Sequence, residues 1–327
     1  MPATFSRDAQ DFGRRDWSDL VEADPSATVF HTPPYLKLYW EELGGKAELL
    51  LTFVEEAGRV IGAVAFERES TTLRFLGGTE VTDYMGPVAL AGTEDRVAKE
   101  VMQALDGIEG WATADLRGLP EDSPWLNRLA DAASARAYAV DVGEDAVAPL
   151  LDLPQTFEEY LAGLPGKLRH EIRRKARRLE EEAGGHTITY STTESLGFDL
   201  DCFVALHRSS EGPKGKFMEP GMEVFFRRLG ESFLPRGIFR LVFLEVGDKK
   251  TAGAIGLSYK GTFSLYNSAF EREWRHLAPG MVLVAELIRE AIEGRCTAFD
   301  MLKGDLEYKY RFGARQRHVK KLLISRR

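Results

Sequence analysis

Apolar positions change period repeatedly along the chain, and each change marks an element. Residues 49–55, 59–67 and 73–76 are short runs rich in Leu, Val, Ile and Phe, with Gly58 between the first two, and they predict strands. Ahead of them, 17–29 reads as a helix and turn, and Pro33-Pro34 opens a helix to about residue 43, because a ring in the first helical turn removes no needed hydrogen bond. A helix (93–105), strand (112–116), helix (124–133) and strand (137–142) follow, and 141–154 reads as a connection. The second half repeats this grammar. Thr156 and Glu159 form a capping box, Pro165 starts a helix over 167–183, and 199–210 and 222–233 are two more helices. Strands are expected at 239–246, 251–259 and 262–270, then a helix at 280–293 that Gly294 ends in the left-handed conformation. A strand (297–300), a short helix (306–312) and a last strand (319–324) close the chain. The segments 112–118 (ATADLRG) and 297–304 (TAFDMLKG) echo one another as strand, Asp, basic residue and Gly. The expected class is α/β, with two tandem domains, 1–150 and 151–327, each a mixed twisted sheet flanked by helices.

A length of 327 residues suits two cores of about 150 residues better than one. No apolar run approaches the roughly 18 residues of a membrane span, and the first 19 residues lack an apolar signal core. Two cysteines, Cys202 and Cys296, far apart in sequence, suggest neither a disulfide framework nor a metal site, so a reduced cytoplasm is the expected compartment. The net charge of −8 argues against generic nucleic-acid binding, DNA included, so any basic partner site must be local.

The stretch 266–314 carries the most chemistry. Its strand leads through Arg272-Glu273-Trp274-Arg275-His276-Leu277-Ala278-Pro279-Gly280 into a helix whose apolar stripe includes Met281, Val284, Ala285, Ile288 and Ile292. Such a junction points free N–H groups and a positive dipole end outward, a seat for pyrophosphate or simply the start of a helix. Asp300 falls at the end of the following strand, where ligands bind open α/β sheets. It is either a proton acceptor or a cap. Lys309 stands four residues after Asp305, a spacing that also gives an ordinary helical ion pair. Tyr308 is a candidate acid or a core aromatic. On the helix over 167–183, Leu168, Ile172, Ala176 and Leu179 form a buried stripe. Cations including Arg169 and Arg173 come first and three glutamates last, an order that opposes the helix dipole and suggests an anion-binding surface. His207, Lys214 and Lys216 surround Gly212 and Gly215 and read as a basic loop over a ligand or as a mobile surface loop.

The loop and helix from Arg275 resemble the acyl-CoA motif of GNAT acetyltransferases, Arg/Gln-x-x-Gly-x-Gly/Ala, with Arg275, Ala278 and Gly280 at the matching positions. With Phe299 to Asp305, Tyr308 to Gly313 and Lys214 to Phe217, the chain is similar to the CelD-like branch of that superfamily, a cousin of Fem-type peptidoglycan transferases. The likeness runs over 165–313, and faintly through Phe30 to Tyr35 and Thr82-Asp83-Tyr84. It implies tandem GNAT-like halves and an acyl group passed from acyl-CoA (acetyl-CoA) to an amine, the acceptor being a small molecule or a cell-envelope or polysaccharide precursor. Arg275, Leu277, Ala278, Gly280 and Met281 would hold the donor, and Asp300, Lys309 and Tyr308 would serve the chemistry. Arg169, Arg173, Asp83, Tyr84, His207 and Lys214 would contact substrate. Ala278 departs from the pattern's first glycine, and Pro279 has no N–H to give a phosphate. Two alternatives therefore stay open: transfer from a charged tRNA, or a binding protein without turnover.

Overall fold

A computed structural model describes residues 3–210 and 213–326; for Pro213 and Lys214 it describes only the backbone. The chain divides into two compact units, 1–147 with 317–327, and 148–316.

The first unit is built on β1 (Thr4–Ser6), α1 (Arg15–Ala23), α2 (Pro33–Leu43), β2 (Glu48–Glu56), β3 (Arg59–Glu69), β4 (Thr72–Phe75), β5 (Val88–Ala89), α3 (Glu94–Asp106), β6 (Thr113–Pro120), α4 (Trp125–Ser134) and β7 (Ala139–Val147). Leu50, Val54, Phe66, Leu116 and Leu129 meet Val97 and Val101 of α3 in one core. Each such side chain removed from water contributes about 1.5–3 kcal/mol. Gly62 on β3 lets α3 lie close, since a Cβ there would come within 2.4 Å of Val97.

The second unit contains β8 (Leu150–Asp152), α5 (Phe157–Gly163), α6 (Gly166–Ala183), β9 (Thr187–Tyr190), α7 (Leu196–Arg208), α8 (Pro213–Phe217), α9 (Pro220–Phe233), β10 (Phe239–Val246), β11 (Lys249–Tyr259), β12 (Thr262–Phe270), α10 (Pro279–Glu293), β13 (Ala298–Asp300) and α11 (Glu307–Tyr310). Its sheet runs β8-β13-β12-β11-β10-β9. Val282, Ala285 and Ile288 of α10 and Ile172 and Leu179 of α6 share a core with Val242, Ala254, Phe263 and Phe299 of the sheet.

The last strand, β14 (His318–Ser325), belongs to the first unit, whose sheet runs β1-β2-β3-β4-β6-β14-β7 with β5 against β3. This differs from the sequence expectation, which placed it in the second half. Val319, Leu322 and Ile324 are fully buried, and both edges of the strand pair antiparallel, with β6 and with β7. Alternation showed a half-buried strand, but a strand pattern does not name its sheet. The expected connection at 141–154 instead holds the end of β7 and β8, and β8 pairs with β13. Gly294 is not left-handed (φ −74°); Arg295 takes that conformation (φ 63°). Arg295 N–H reaches Ile292 O at 3.0 Å and Cys296 N–H reaches Ala291 O at 2.9 Å, the paired bonds that close a helix when the residue after its cap turns left-handed.

Both units carry the same strand–helix–parallel-strand crossover, and this is the physical content of the echo between 112–118 and 297–304. β4 pairs parallel with β6 only at Thr72↔Thr113 and Leu73↔Ala114. β12 pairs parallel with β13 from Thr262↔Ala298 to Ser264↔Asp300, then runs on unpaired on that side to Phe270. Each pair of parting strands leaves an opening at its carboxyl end, where ligands bind sheets of this kind.

Candidate functional site

In the second unit the opening begins at Asp300. This residue is 2% exposed, and its Oδ1 accepts the Leu302 N–H at 2.8 Å. That bond draws the chain into a tight turn as it leaves β13, with Leu302 left-handed (φ 56°) and Gly304 at φ 117°. Lys309 closes the same turn from α11: its Nζ, on a residue 3% exposed, donates to Leu302 O and Lys303 O, both at 2.9 Å. Asp305, four residues before Lys309, accepts a hydrogen bond from the Tyr310 hydroxyl. The Tyr308 phenol is pushed up by burial, moderated by a hydrogen bond with Ser268 on β12. Asp300, Tyr308 and Lys309 thus gather around the parting of β12 and β13.

The turn is anchored from behind. The Tyr160 hydroxyl of α5 donates to Phe312 O at 2.8 Å, and Gly313 (φ 80°) passes Leu164 so closely that a Cβ would meet it at 2.4 Å. Arg311 pairs with Glu171 of α6 at 3.5 Å. The motif Tyr308 to Gly313 is therefore fixed by neighbours on α5 and α6.

Across the opening, β12 carries a bulge opposite Ile255 and Gly256, so that Tyr266 falls between the paired positions Leu265 and Asn267. Bulges re-aim side chains and recur beside active sites. Tyr266 packs on Phe226, and Phe226 on Phe217, at 5.4 and 6.1 Å between ring centres. His207 belongs to this aromatic group, 5.8 Å from the Phe217 ring and 1% exposed. It is a buried residue of α7, within the helix expected over 199–210, and so is not part of the loop that the glycine spacing had suggested. Lys214 lies outside the described side chains, and Lys216 is exposed. Sequence reasoning missed Tyr266 and Ser268. A bulge leaves no mark in an alternating pattern, and Ser268 matters only through the Tyr308 hydroxyl.

The start of α10 is unusual. Ala278, its N-cap, sits left-handed at φ 53°, ψ 49°, a conformation that costs an L-residue about 1–2 kcal/mol. A helix start leaves about four N–H groups without helical partners. Here Ala278 N–H goes to Arg275 O at 3.1 Å, Pro279 has none, and Met281 N–H turns back to Ala278 O at 3.0 Å. Gly280 is left as the backbone donor of this first turn, with the exposed Arg275 side chain beside it. Gly280 lies against Phe270, 3.3 Å from where its Cβ would be, and Leu277 is buried in the core. The residues fit a phosphate group through one backbone donor and one cation, which is less than a full cradle.

Met281 also receives a contact from α6, where Lys175 Nζ lies 2.9 Å from its sulfur. A cavity of about 250 Å³ runs between α5, α6 and α10, lined by Phe157, Leu161, Ile172, Arg173, Met281 and Arg289 among others. The charge order of α6 is partly answered by i,i+4 pairs, Lys175–Glu171, Arg177–Glu181 and Arg178–Glu182, at 3.2, 3.7 and 2.7 Å. Arg169 reaches Ala162 O at 3.3 Å, and Arg173 stays exposed.

Asp83 and Tyr84 lie in the first unit. Tyr84 is buried, edge-on to Phe30 at 6.0 Å, with the Arg317 guanidinium 4.7 Å over its ring. Asp83 is half-buried. Among the described residues no helix is long and apolar enough to cross a membrane, and no cluster of three metal-ligating side chains occurs.

Residues 166–310 match the family model of the acetyltransferase (GNAT) domain. The fold is similar to that of FemX, at a TM-score of 0.68 and 11% identity over 98% of this chain and 97% of that one. It is also similar to L-PGS from Bacillus licheniformis, at TM-score 0.60 and 14% identity over 96% and 91%. A tandem GNAT protein from the clavulanic acid biosynthesis pathway aligns at TM-score 0.50 and 13% identity over 98% of both chains. Identities this low concern the fold. Among the curated proteins, none matches this sequence.

Proposed function

We propose, from the premise of a GNAT-like, Fem-related α/β fold, that the second unit transfers an acyl group from a thioester to an amine. The donor in this reading is acyl-CoA, acetyl-CoA in the simplest case, and the compartment is the cytoplasm. The observation that carries it is the convergence of Asp300, Tyr308 and Lys309 where β12 and β13 part, beside the start of α10. The donor's phosphates lie at Gly280 N–H and Arg275, against Leu277, Ala278 and Met281. Its thioester reaches the opening along the unpaired edge of β12. The amine attacks the carbonyl carbon, a C–N bond forms, and Asp300, directly or through water, takes the proton the nitrogen loses. As the C–S bond breaks, the Tyr308 phenol protonates the departing sulfur, a role suited to a phenol kept protonated by burial. The Lys309 charge, fixed by two carbonyls, favours negative charge developing on the carbonyl oxygen. Arg169 and Arg173 on α6 suit an anionic group of donor or acceptor. Asp83, Tyr84 and His207 shape their own surroundings, and an acceptor among cell-envelope or polysaccharide precursors is what the resemblance to the CelD-like branch implies.

One observation favours a second reading. With Pro279 lacking an N–H and the Ala278 and Met281 amides committed, the α10 start is a reduced phosphate seat, while exposed cations line α6. An aminoacyl ester on tRNA would use the same attack at the same opening. The test is thiol release from acetyl-CoA over a panel of primary amines, with Asp300→Asn alongside. Loss of at least about 100-fold in rate in the variant, with the fold intact, supports the proton-acceptor role. A variant within about threefold of the parent removes it, and an inactive parent that turns over charged tRNA replaces the donor.

A further inference from the structure

The first unit has its own opening, and its chemistry differs. Where β4 and β6 part beyond Leu73↔Ala114, a cavity of about 420 Å³ is lined by Glu67, Glu69, Arg74, Thr79, Asp115 and Arg117 among others. Its volume lies within the usual 300–1,000 Å³ of small-molecule sites. Glu67 lines this space although it is only 8% exposed. It faces Arg74 directly across the β3–β4 ladder, yet Arg74 turns to Glu69, 3.3 Å away. Arg117 is likewise held, by Asp115 at 2.9 Å and by Asp145 of β7 at 3.5 Å. Among the described residues Glu67 has no ion-pair partner. Its one hydrogen bond is a long one from the Tyr39 hydroxyl of α2 at 3.5 Å. Gly78 (φ 65°) brings the 77–86 loop against that hydroxyl, where a Cβ would stand 2.8 Å away.

Burial pushes the Glu67 carboxyl up to about 7, with Arg74 and Tyr39 opposing the shift and Glu69 adding to it. The same burial and the nearby carboxylate raise the Tyr39 phenol, so it stays a donor. A cavity in which carboxylates outnumber cations, and the cations are already paired, is poorly suited to an anion. Its deepest polar group is a carboxylate that lacks only a cation.

We propose that this opening is a binding site for a small ligand bearing a primary ammonium group, seated against the Glu67 carboxylate. The ammonium donates to Glu67, the rim pairs Arg74–Glu69 and Arg117–Asp115 meet the ligand's polar groups, and Phe75 and Met85 meet its carbon skeleton. The binding stands apart from the transfer chemistry of the second unit and needs no turnover. Because the ammonium requires the ionised carboxylate, binding at pH 6 releases a proton from Glu67.

Titration calorimetry without any acyl donor tests this, using glucosamine, L-lysine methyl ester and benzylamine as probes and N-acetylglucosamine as the uncharged control. At least one amine should bind, with an affinity that rises about tenfold per pH unit up to pH 7, and benzylamine, which stays an ammonium through pH 8, should then level off, as one-proton linkage requires. Glu67→Gln should lose that pH dependence and bind at least about tenfold more weakly at pH 8. Asp300→Asn should bind as the parent does, which separates this claim from the transfer chemistry. The proposal is overturned if no amine binds more tightly than about 10 mM, if binding does not vary with pH, or if N-acetylglucosamine binds equally. The pH profile of the parent decides the matter even if Glu67→Gln fails to fold.

Discussion

Replacing Glu67 with Gln should make the first unit more stable at alkaline pH. In the folded chain the carboxyl titrates near 7, against 4.5 for the unsheltered group. As pH rises from 4.5 to 7 the unfolded chain gives up this proton and the folded chain keeps it. The folded state then binds more protons, so stability falls with rising pH across this window at about 1.4 kcal/mol per unit and is level outside it. Over the whole window the cost approaches about 3 kcal/mol, carried in full above pH 7. Gln resembles the protonated acid and can still accept from Tyr39, so Glu67→Gln should match the parent near pH 4.5 and exceed it at pH 8 by up to about 3 kcal/mol. Urea denaturation followed by tryptophan fluorescence is the assay, because Trp17, Trp40, Trp111 and Trp125 lie in the first unit and only Trp274 in the second. A variant that keeps the parent's slope between pH 5 and 7, or is less stable at pH 8, refutes the reasoning.

Two further perturbations concern the second unit. Ala278→Gly removes the left-handed penalty of about 1–2 kcal/mol at φ 53° and returns about 0.4–1 kcal/mol to the unfolded chain's entropy. A net gain of about 0.5–1 kcal/mol is expected in Trp274-detected unfolding, and a loss would mean the residue is not left-handed in solution. Lys309→Met leaves the buried Leu302 carbonyl and the part-buried Lys303 carbonyl without their charged donor, so stability should fall by about 1.5–3 kcal/mol along with activity. A drop of only about 0.2–0.5 kcal/mol would mean that Lys309 does no more than an exposed ion pair does.

The fold was legible where one period dominated. Residues 239–246 and 262–270 form strands with those same bounds, because long apolar alternation next to glycine turns admits one reading. The α6 stripe was equally plain, with Ile172 and Leu179 both buried. Four short strands were not seen: Thr4–Ser6, Val88–Ala89, Leu150–Asp152 and Thr187–Tyr190 have too few residues to establish a period. The partnership of β14 with the first unit depends on pairing across nearly 200 residues, which no local pattern encodes. At the site, Asp300 and Lys309 stood out through spacing and family likeness, but their arrangement did not. Spacing placed Asp305 beside Lys309 but gave no sign of the two carbonyls of the folded turn, which no side-chain motif announces. Glu67 was hidden for the opposite reason: in sequence it is an ordinary strand-end glutamate, and only burial behind Arg74 and Glu69 sets it apart.

Backbone hydrogen exchange with and without saturating acetyl-CoA tests the central claim most directly. The account predicts protection in the segments 272–284 and 264–270, where Gly280 N–H meets the phosphates and the unpaired edge of β12 meets the thioester arm, with β10 and β11 unchanged. Exchange that is unaltered in both segments, or slowed on α6 alone, would contradict a thioester donor at the parting of β12 and β13.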